Sequence, residues 1–569
     1  MAGRQIARMM CAAGAIAVVL GSHGASRADP ALDHAVQNPD NWAMYGRNYS
    51  NDRYSPLKQI DAQNVAGLKL AWALQVGTLL EQEASPLIVD GTMYVSSSDG
   101  PAHVFAVDAE TGKIKWQYNY TPAADVAPEA CCGLVNRGVS FADNKILFGT
   151  LDGYLVALDA TNGKPVWKTK IIDYKAGAVI TSPPLIVKNL AITGFGGGEY
   201  GVRGSLQAYD IADGKLVWRT YTVPGLWRST WKGDSWKLGG GTAWNAGSYD
   251  PATNTVLWGT SNPGPWNAVV RSTGTSDYGH LTNGGTASTV ALDPDNGRLK
   301  WEIQSTPADA WDYDGIVTPV LAKLQIDGRE TPVYLKDDRN GFFFVANLDT
   351  GKLISAEPFA PENWAKSFDA ARDRPVEDPA KRPRIDFKAV DICPAAMGST
   401  NWQSMSFNPE TGLAYIPVNN MCMDMQAKKV VYHRGMFYLG NDFSFHPGKG
   451  GWLGQLLAYN PVTQKPVWKV DRPLPWNGGT MTTAGNLVFQ GDIEGVFHAY
   501  DAQNGNELWH VRLGSGIIAA PVTFVAGGKQ YVAILAGRPQ VMPSFMGSVG
   551  KQIIDATPQG GTLFVFGLD

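Results

Sequence analysis

Short runs of alternating apolar and polar residues, each closed by Asp or Asn and a glycine turn, recur along the chain. The pattern is apolar-Ala-x-Asp, a turn with Gly, then a basic residue and Trp. It reads VFAVDAETGKIKW at 104–116, LVALDATNGKPVW at 155–167, LQAYDIADGKLVW at 206–218 and TVALDPDNGRLKW at 289–301. It returns as LLAYNPVTQKPVW at 456–468 and FHAYDAQNGNELW at 497–509. Degenerate copies, FFVANLDTGKLIS at 343–355 and MSFNPETGLAYIP at 405–417, bring the number to eight. Period-two alternation predicts a strand. The D/N-x-x-[TND]-G segment predicts a tight turn whose Gly takes positive φ. A second strand then delivers the Trp.

One such hairpin cannot bury both its faces. Four-stranded sheets stacked radially bury them against neighbours and leave few open edges. Successive Trp residues stand 51 (116 to 167), 51 (167 to 218), 83 (218 to 301) and 41 (468 to 509) positions apart. Propeller repeats run about 40–50 residues. The predicted fold is therefore all-β, an eight-bladed β-propeller with tryptophan-docking repeats, rather than a sandwich series or a solenoid. The long interval marks an insertion, which is where function is expected. VAGLKLAWALQV (65–76) and TLFVFGL (562–568) are expected to close the ring.

Composition agrees. Gly makes up 64 of 569 residues, charged residues only 18%, and aromatics are plentiful, which suits strands and turns better than helices. No basic run offers an electrostatic footprint for nucleic acid. Arg4 and Arg8, then the apolar stretch 9–21, then Ser26-Arg27-Ala28, read as a cleaved signal peptide. That leaves 29–569 as one propeller domain in the periplasm. Loss of 1–28 removes three arginines and no acid, taking the net charge from −4 to −7. Cys131, Cys132, Cys393 and Cys422 remain, an even number for an oxidising compartment. There is no C-x-x-C-H, hence no usual site for covalent haem.

The residues that the repeat does not require carry the chemistry. Cys131 and Cys132 are adjacent, so their Cα atoms lie about 3.8 Å apart, below the usual disulfide span of roughly 4.4–6.8 Å. They are either two loop thiols or a strained ring of a kind found at functional sites. Gly196, Gly197 and Gly198 precede Glu199 and allow close backbone approach to a bound group. Trp244 belongs to no repeat copy and is a candidate stacking platform for a flat ligand. Asn262, followed by Pro, offers a carbonyl oxygen suited to a hard cation. Asp312 and Asp314 stand at i and i+2, which on a strand places both on one face. Two such carboxylates repel unless a cation lies between them or one is protonated.

In this order and spacing, CCGLVNRG (131–138), TSPP (181–184), GGGEYGVRG (196–204), GGGTAW (239–244), GTSNPGPWN (259–267), WDYDG (311–315), DRNGFFF (338–344) and GSTNW (398–402) resemble the methanol/ethanol dehydrogenase family of quinoproteins. These use pyrroloquinoline quinone (PQQ). The resemblance covers nearly the whole chain from about Trp42. It implies that Cys131–Cys132 forms a ring over one face of PQQ and Trp244 stacks on the other. It implies Glu199, Asn262 and Asp312 as metal ligands, with Asp312 also the catalytic base. Arg137, Thr181, Gly197, Gly198, Thr242, Arg339, Asn401 and Trp402 match cofactor-binding positions. Relatives often have Ser-Gly-Ala where this chain has Gly196-Gly197-Gly198, so a hydroxyl contact is lost there. Cys393 and Cys422 resemble a second disulfide. Calcium-dependent members usually carry a small residue where this chain has Asp314, so the resemblance is to the lanthanide-dependent branch. An added carboxylate as a fourth ligand favours a trivalent hard cation over calcium, the alternative.

The activity implied is oxidation of an alcohol by hydride transfer to metal-activated PQQ, with electrons passed to a separate cytochrome c. A quinoprotein acting on sugars or polyols shares the same centre. A non-enzymatic scaffold of outer-membrane assembly shares the repeats but does not account for the Cys pair and the carboxylates. Phe437, Tyr438 and Trp476 are candidates for the entrance. The sequence leaves the particular alcohol open, as it does the choice between monomer and homodimer.

Overall fold

The computed structural model describes residues 29–223, 225 and 229–569; the predicted signal segment 1–28 lies outside them. Strands dominate, with short α-helices at Pro30–Gln37, Ala268–Arg271 and Gly547–Ala556. No helix among the described residues is long and apolar enough to cross a membrane.

Antiparallel four-stranded sheets follow one another along the chain. The first comprises Leu87–Val89, Thr92–Ser96, His103–Asp108 and Ile114–Asn119. The next six span 140–170, 185–221, 248–304, 320–358, 406–472 and 480–512, the last of which gains a fifth strand, Tyr54–Ser55, paired parallel to Thr480–Thr483. The eighth takes three strands from 522–567 and a fourth, Lys69–Gln75, from the N-terminal end. Lys69 pairs with Gly567 and Gln75 with Thr562, so both ends of the chain share one sheet, as expected.

In five of the sheets a tryptophan ties the sheet to the next. Trp116 Nε1 donates to the Ala160 carbonyl in the turn of the following sheet, at 2.9 Å. That turn's Gly163 has φ 70°, and a Cβ there would stand 2.5 Å from the Trp116 indole. The glycine thus serves both the turn and the indole that lies on it. Trp72, Trp167, Trp218 and Trp468 make the same bond to Ala109, Ile211, Pro294 and Ala502. In the fifth sheet Ser355 stands in place of the Trp and accepts from Gln464 of the sixth, at 2.9 Å.

The repeat copies distribute differently from the expectation of one per sheet. Residues 405–417 form the first hairpin of the sixth sheet, which also contains 456–468. The eighth sheet holds no copy; its tryptophan is Trp72, on the N-terminal strand. The long Trp interval does carry inserted segments, which among the described residues include the 3-10 turn Ser235–Leu238 and the helix Ala268–Arg271. Two further excursions, 359–405 and 420–453, leave no mark on the Trp spacing, because the copies at 343–355 and 405–417 lack the Trp that measures it. They form a two-stranded sheet and a three-stranded sheet of Ala389–Ile392, Met421–Ala427 and Asn441–Pro447.

A strap formed by residues 42–55 crosses several sheets. Trp42 bridges to Ile88, and the Ser50, Asp52 and Arg53 carbonyls accept from Leu321, Phe407 and Thr482. Arg53 is fully buried and donates to the Tyr45, Thr480 and Pro521 carbonyls.

Candidate active site

In an antiparallel sheet, the loop entering the first strand and the loop leaving the second lie at the same end. Arg137, Thr181, Trp244, Asp312, Asp314, Asn401 and Trp402 sit in loops that enter first strands. Glu199, Asn262 and Arg339 sit in loops that leave second strands. The topology therefore gathers all of them at one end. A cavity of about 320 Å³ opens there. Cys131, Cys132, Arg137, Thr181, Gly197, Glu199, Trp244, Asp312, Asp314, Arg339, Asn401 and Trp402, all expected from sequence, line it. Gly198, Thr242 and Asn262 lie just behind that wall. A Cβ on Gly198 would stand 3.3 Å from Asn262 Oδ1 and 3.6 Å from Thr242 Oγ1.

Asp312 and Asp314 lie on a loop, not a strand, yet both meet one cation. Arg339 Nη2 donates to Asp312 Oδ2 at 2.9 Å and Nη1 to Asp314 Oδ2 at 2.8 Å. Asp309 shapes this loop: its two oxygens accept the Trp311 and Tyr313 backbone N–H groups, at 2.9 and 3.1 Å. Asp312 itself has φ 69°, a conformation that Asp tolerates better than most residues. Asp314 also accepts from Trp244 Nε1, at 3.0 Å, and from the Asn262 backbone N–H.

A second loop buttresses the first. The Pro394 carbonyl accepts the Tyr313 hydroxyl at 2.5 Å, Ala396 accepts from Arg339, and Met397 from Asn401 Nδ2 at 2.8 Å. A disulfide joins Cys393, at the start of this loop, to Cys422. Asp391 lies beside this pair, but bridged cysteines have no thiolate to offer a metal.

Three buried carboxylates face one guanidinium. Burial, then Asp314, pushes Glu199 up to about 7. Burial raises Asp312 well above the usual carboxylate range, against the pull of Arg339. Burial raises Asp314 as well, again opposed by Arg339. With all ionised, Glu199, Asp312, Asp314 and Arg339 sum to −2. Asp312 Oδ1 and Asn262 Oδ1 are buried with no hydrogen-bond partner in the protein. Unpaired buried oxygens beside surplus negative charge are what an oxygen-liganded hard cation requires. The donor set fits such an ion.

The rest of the cavity suits a flat anion. Cys131 and Cys132 are disulfide-bonded. The Arg137 guanidinium lies 5.1 Å from the Trp244 ring centroid and 4.9 Å from that of Trp402. It donates to Thr181 Oγ1 at 2.8 Å, which in turn donates to the Trp244 carbonyl. Indoles and guanidinium groups offer stacking and charge to a planar carboxylated ring.

Sequence reasoning missed Glu83, which lines the cavity and pairs with Arg137 at 2.8 Å. Glu81 lies next to it, raised to about 8 by burial and by Glu83. The signal was available: Glu81 and Glu83 precede the first strand of their sheet, the place Arg137 occupies in the next. Of the entrance candidates, Phe437 and Trp476 line the cavity. Tyr438 is buried behind them, and its backbone N–H donates to the Glu199 carbonyl.

A cluster of buried carboxylates beside an aromatic, cationic slot suits a quinone-dependent oxidoreductase. Residues 42–357 and 452–532 match the family model described as "PQQ: Glucose/ethanol/alcohol dehydrogenase, beta-propeller domain", and the chain belongs to this family of PQQ quinoproteins. It is 40% identical to a lanthanide-dependent methanol dehydrogenase of Methylacidiphilum fumariolicum, over 97% of this chain and 96% of that one. It is 43% identical to the quinohemoprotein alcohol dehydrogenase ADH IIB of Pseudomonas putida, over 93% of this chain and 77% of the relative. Among solved structures, a europium-containing methanol dehydrogenase superposes with a TM-score of 0.90 at 39% identity, covering 94% of this chain and all of that one. The fold is thus a β-propeller and the chain an alcohol dehydrogenase of the quinoprotein class.

Proposed function

We propose that this protein oxidises alcohols in the periplasm as a single eight-bladed propeller domain, 29–569, and passes electrons to a separate cytochrome c. The eight serial sheets would be its blades. Glu199, Asn262, Asp312 and Asp314 would hold the metal, and their surplus negative charge favours a trivalent lanthanide over calcium. Relatives whose names specify a lanthanide and europium support the same choice. The Cys131–Cys132 ring and Trp244 would cover the two faces of PQQ. Arg137, Thr181, Gly197, Gly198, Thr242, Arg339, Asn401 and Trp402 would cradle its edge.

When bound, PQQ supplies a quinone carbonyl able to accept the alcohol's hydride, and the metal supplies Lewis acidity toward that carbonyl. The protein positions and deprotonates. Asp312, anchored by Arg339 through Oδ2, accepts the alcohol's hydroxyl proton. Arg339 neutralises part of the carboxylate charge and keeps both aspartates oriented. The apolar walls exclude water. For each alcohol oxidised to the aldehyde or ketone, two electrons and two protons leave the substrate.

The observation that carries this reading is the meeting of Glu199, Asp312, Asp314, Trp244 and the vicinal disulfide in one cavity. The test is to strip the protein with a chelator and titrate PQQ with lanthanum or with calcium. A visible absorption band and dye-linked alcohol oxidation should appear together. A protein that binds PQQ under neither condition refutes the reading.

A further inference from the structure

The inner cavity is polar and its mouth is not. Beyond the residues assigned to cofactor and metal, the cavity wall continues through Phe437, Leu439, Phe443, Phe445, Met542 and Phe545. These come from two stretches of chain about a hundred residues apart: the loop that leads into the strand Asn441–Pro447 together with that strand, and the 3-10 turn Met542–Phe545. They form one aromatic surface with Trp266: ring centroids are 5.5 Å apart for Trp266–Phe443, 5.3 Å for Phe443–Phe445 and 6.5 Å for Phe443–Phe545. Phe437 is stacked on Tyr200 at 4.9 Å. Phe437 remains 52% exposed and Phe545 39%. Apolar surface left open and continuous with a buried site marks a ligand surface.

We infer that the substrate is an alcohol carrying a bulky, predominantly apolar body, aromatic, alicyclic or long-chain, whose carbinol end reaches Asp312 while its body lies on this wall. The inference rests on the alcohol-oxidising reading above and assigns its substrate class. Methanol has no apolar body to lay on this wall, so the wall would give it nothing. A sugar or polyol would bring hydroxyls against Phe, Leu and Met side chains that offer them no hydrogen bond. Burying unpaired hydroxyls there is unfavourable. An apolar body instead gains by leaving water at every added carbon.

The test uses the loaded holoenzyme with an artificial electron acceptor and a series of primary alcohols from methanol to octanol, with 2-phenylethanol, glycerol and glucose. We expect kcat/KM to rise about fourfold per methylene as the chain reaches the wall, chiefly through KM, and glycerol and glucose to be the poorest substrates. Phe545→Ala should lower kcat/KM for octanol at least threefold more than for ethanol. A readout independent of turnover is calorimetric binding of 2-methyl-4-phenyl-2-butanol, a tertiary alcohol with no carbinol hydrogen to lose; its affinity should fall in the same variant. A flat series, a preference for methanol, or a preference for polyols overturns the assignment. So does a Phe545→Ala variant slowed only with a protein acceptor and not with the dye, which would make the rim a protein-docking surface. A PQQ-loaded protein that oxidises no alcohol at all overturns the alcohol-oxidising reading instead, and the calorimetric arm then still decides whether the wall binds apolar bodies.

Discussion

Replacing Asp314 by alanine separates the metal assignment from mere structural damage. Asp314 is buried, and its oxygens accept from Arg339 at 2.8 Å, from Trp244 Nε1 at 3.0 Å and from the Asn262 backbone. Each carboxylate oxygen has two lone pairs, so these bonds leave room for a metal. Removing the side chain changes the four-group charge from −2 to −1. At about 4 Å and an effective dielectric constant of about 20, one pair of unit charges is worth about 4 kcal/mol. A trivalent ion would then lose about 12 kcal/mol and a divalent ion about 8. Loosening of Trp244 and Arg339 weakens both metals alike and cancels in the ratio. The lanthanide-to-calcium affinity ratio should therefore fall, with a ceiling near 4 kcal/mol, or about a thousandfold. Water entering the vacated space will reduce this, so tenfold or more is the expectation. The assay is calorimetric titration of the metal-free variant and wild type with lanthanum and with calcium. Equal losses for the two ions would refute Asp314 as a charge-selective ligand.

Asp312→Asn should lower kcat by at least a hundredfold while the visible spectrum shows PQQ still bound; retained turnover rules out Asp312 as the base. Trp116→Ala removes an indole that packs on Gly163 and bonds to Ala160, and should cost about 3–5 kcal/mol in denaturant unfolding without changing kcat. Asp492 is buried, which alone would raise its pKa, but bonds from His498, Arg472 and the Val496 N–H carry it below the ordinary value. A depressed folded-state pKa stabilises above the unfolded value of about 3.9 and is lost as pH falls through the folded one. Asp492→Asn should therefore be less stable by about 3 kcal/mol between roughly pH 5 and 7, with the gap closing only below about pH 4. A gap that widens on acidification would contradict this.

Much of the site was legible because its residues break a repeat. Trp244, Asn262 and the Asp312/Asp314 pair stood out as chemistry the hairpins do not need, and the family resemblance supplied roles for Arg137, Arg339 and Asn401. Glu83 was not legible from its chemistry, only from its position before a first strand, because a carboxylate there looks solvated until Arg137 is seen 2.8 Å away. Nor was the buttress of Pro394, Ala396 and Met397, which acts through backbone carbonyls and leaves no trace in side-chain chemistry.

The sequence by itself determined the local units: strand alternation, glycine turns and the tryptophans that recur with them are short-range properties, readable within a dozen residues. It also determined that Cys131 and Cys132 are neighbours. Only the tertiary structure decided that Lys69–Gln75, expected from sequence to help close the ring, supplies the eighth sheet with its tryptophan in place of a repeat copy. Only it brought Asp312 and Asp314 onto one guanidinium, and built an apolar mouth from segments about a hundred residues apart. The physical reason is that such contacts are set by which loops share an end of the stacked sheets, a property of the closed chain that no local pattern encodes.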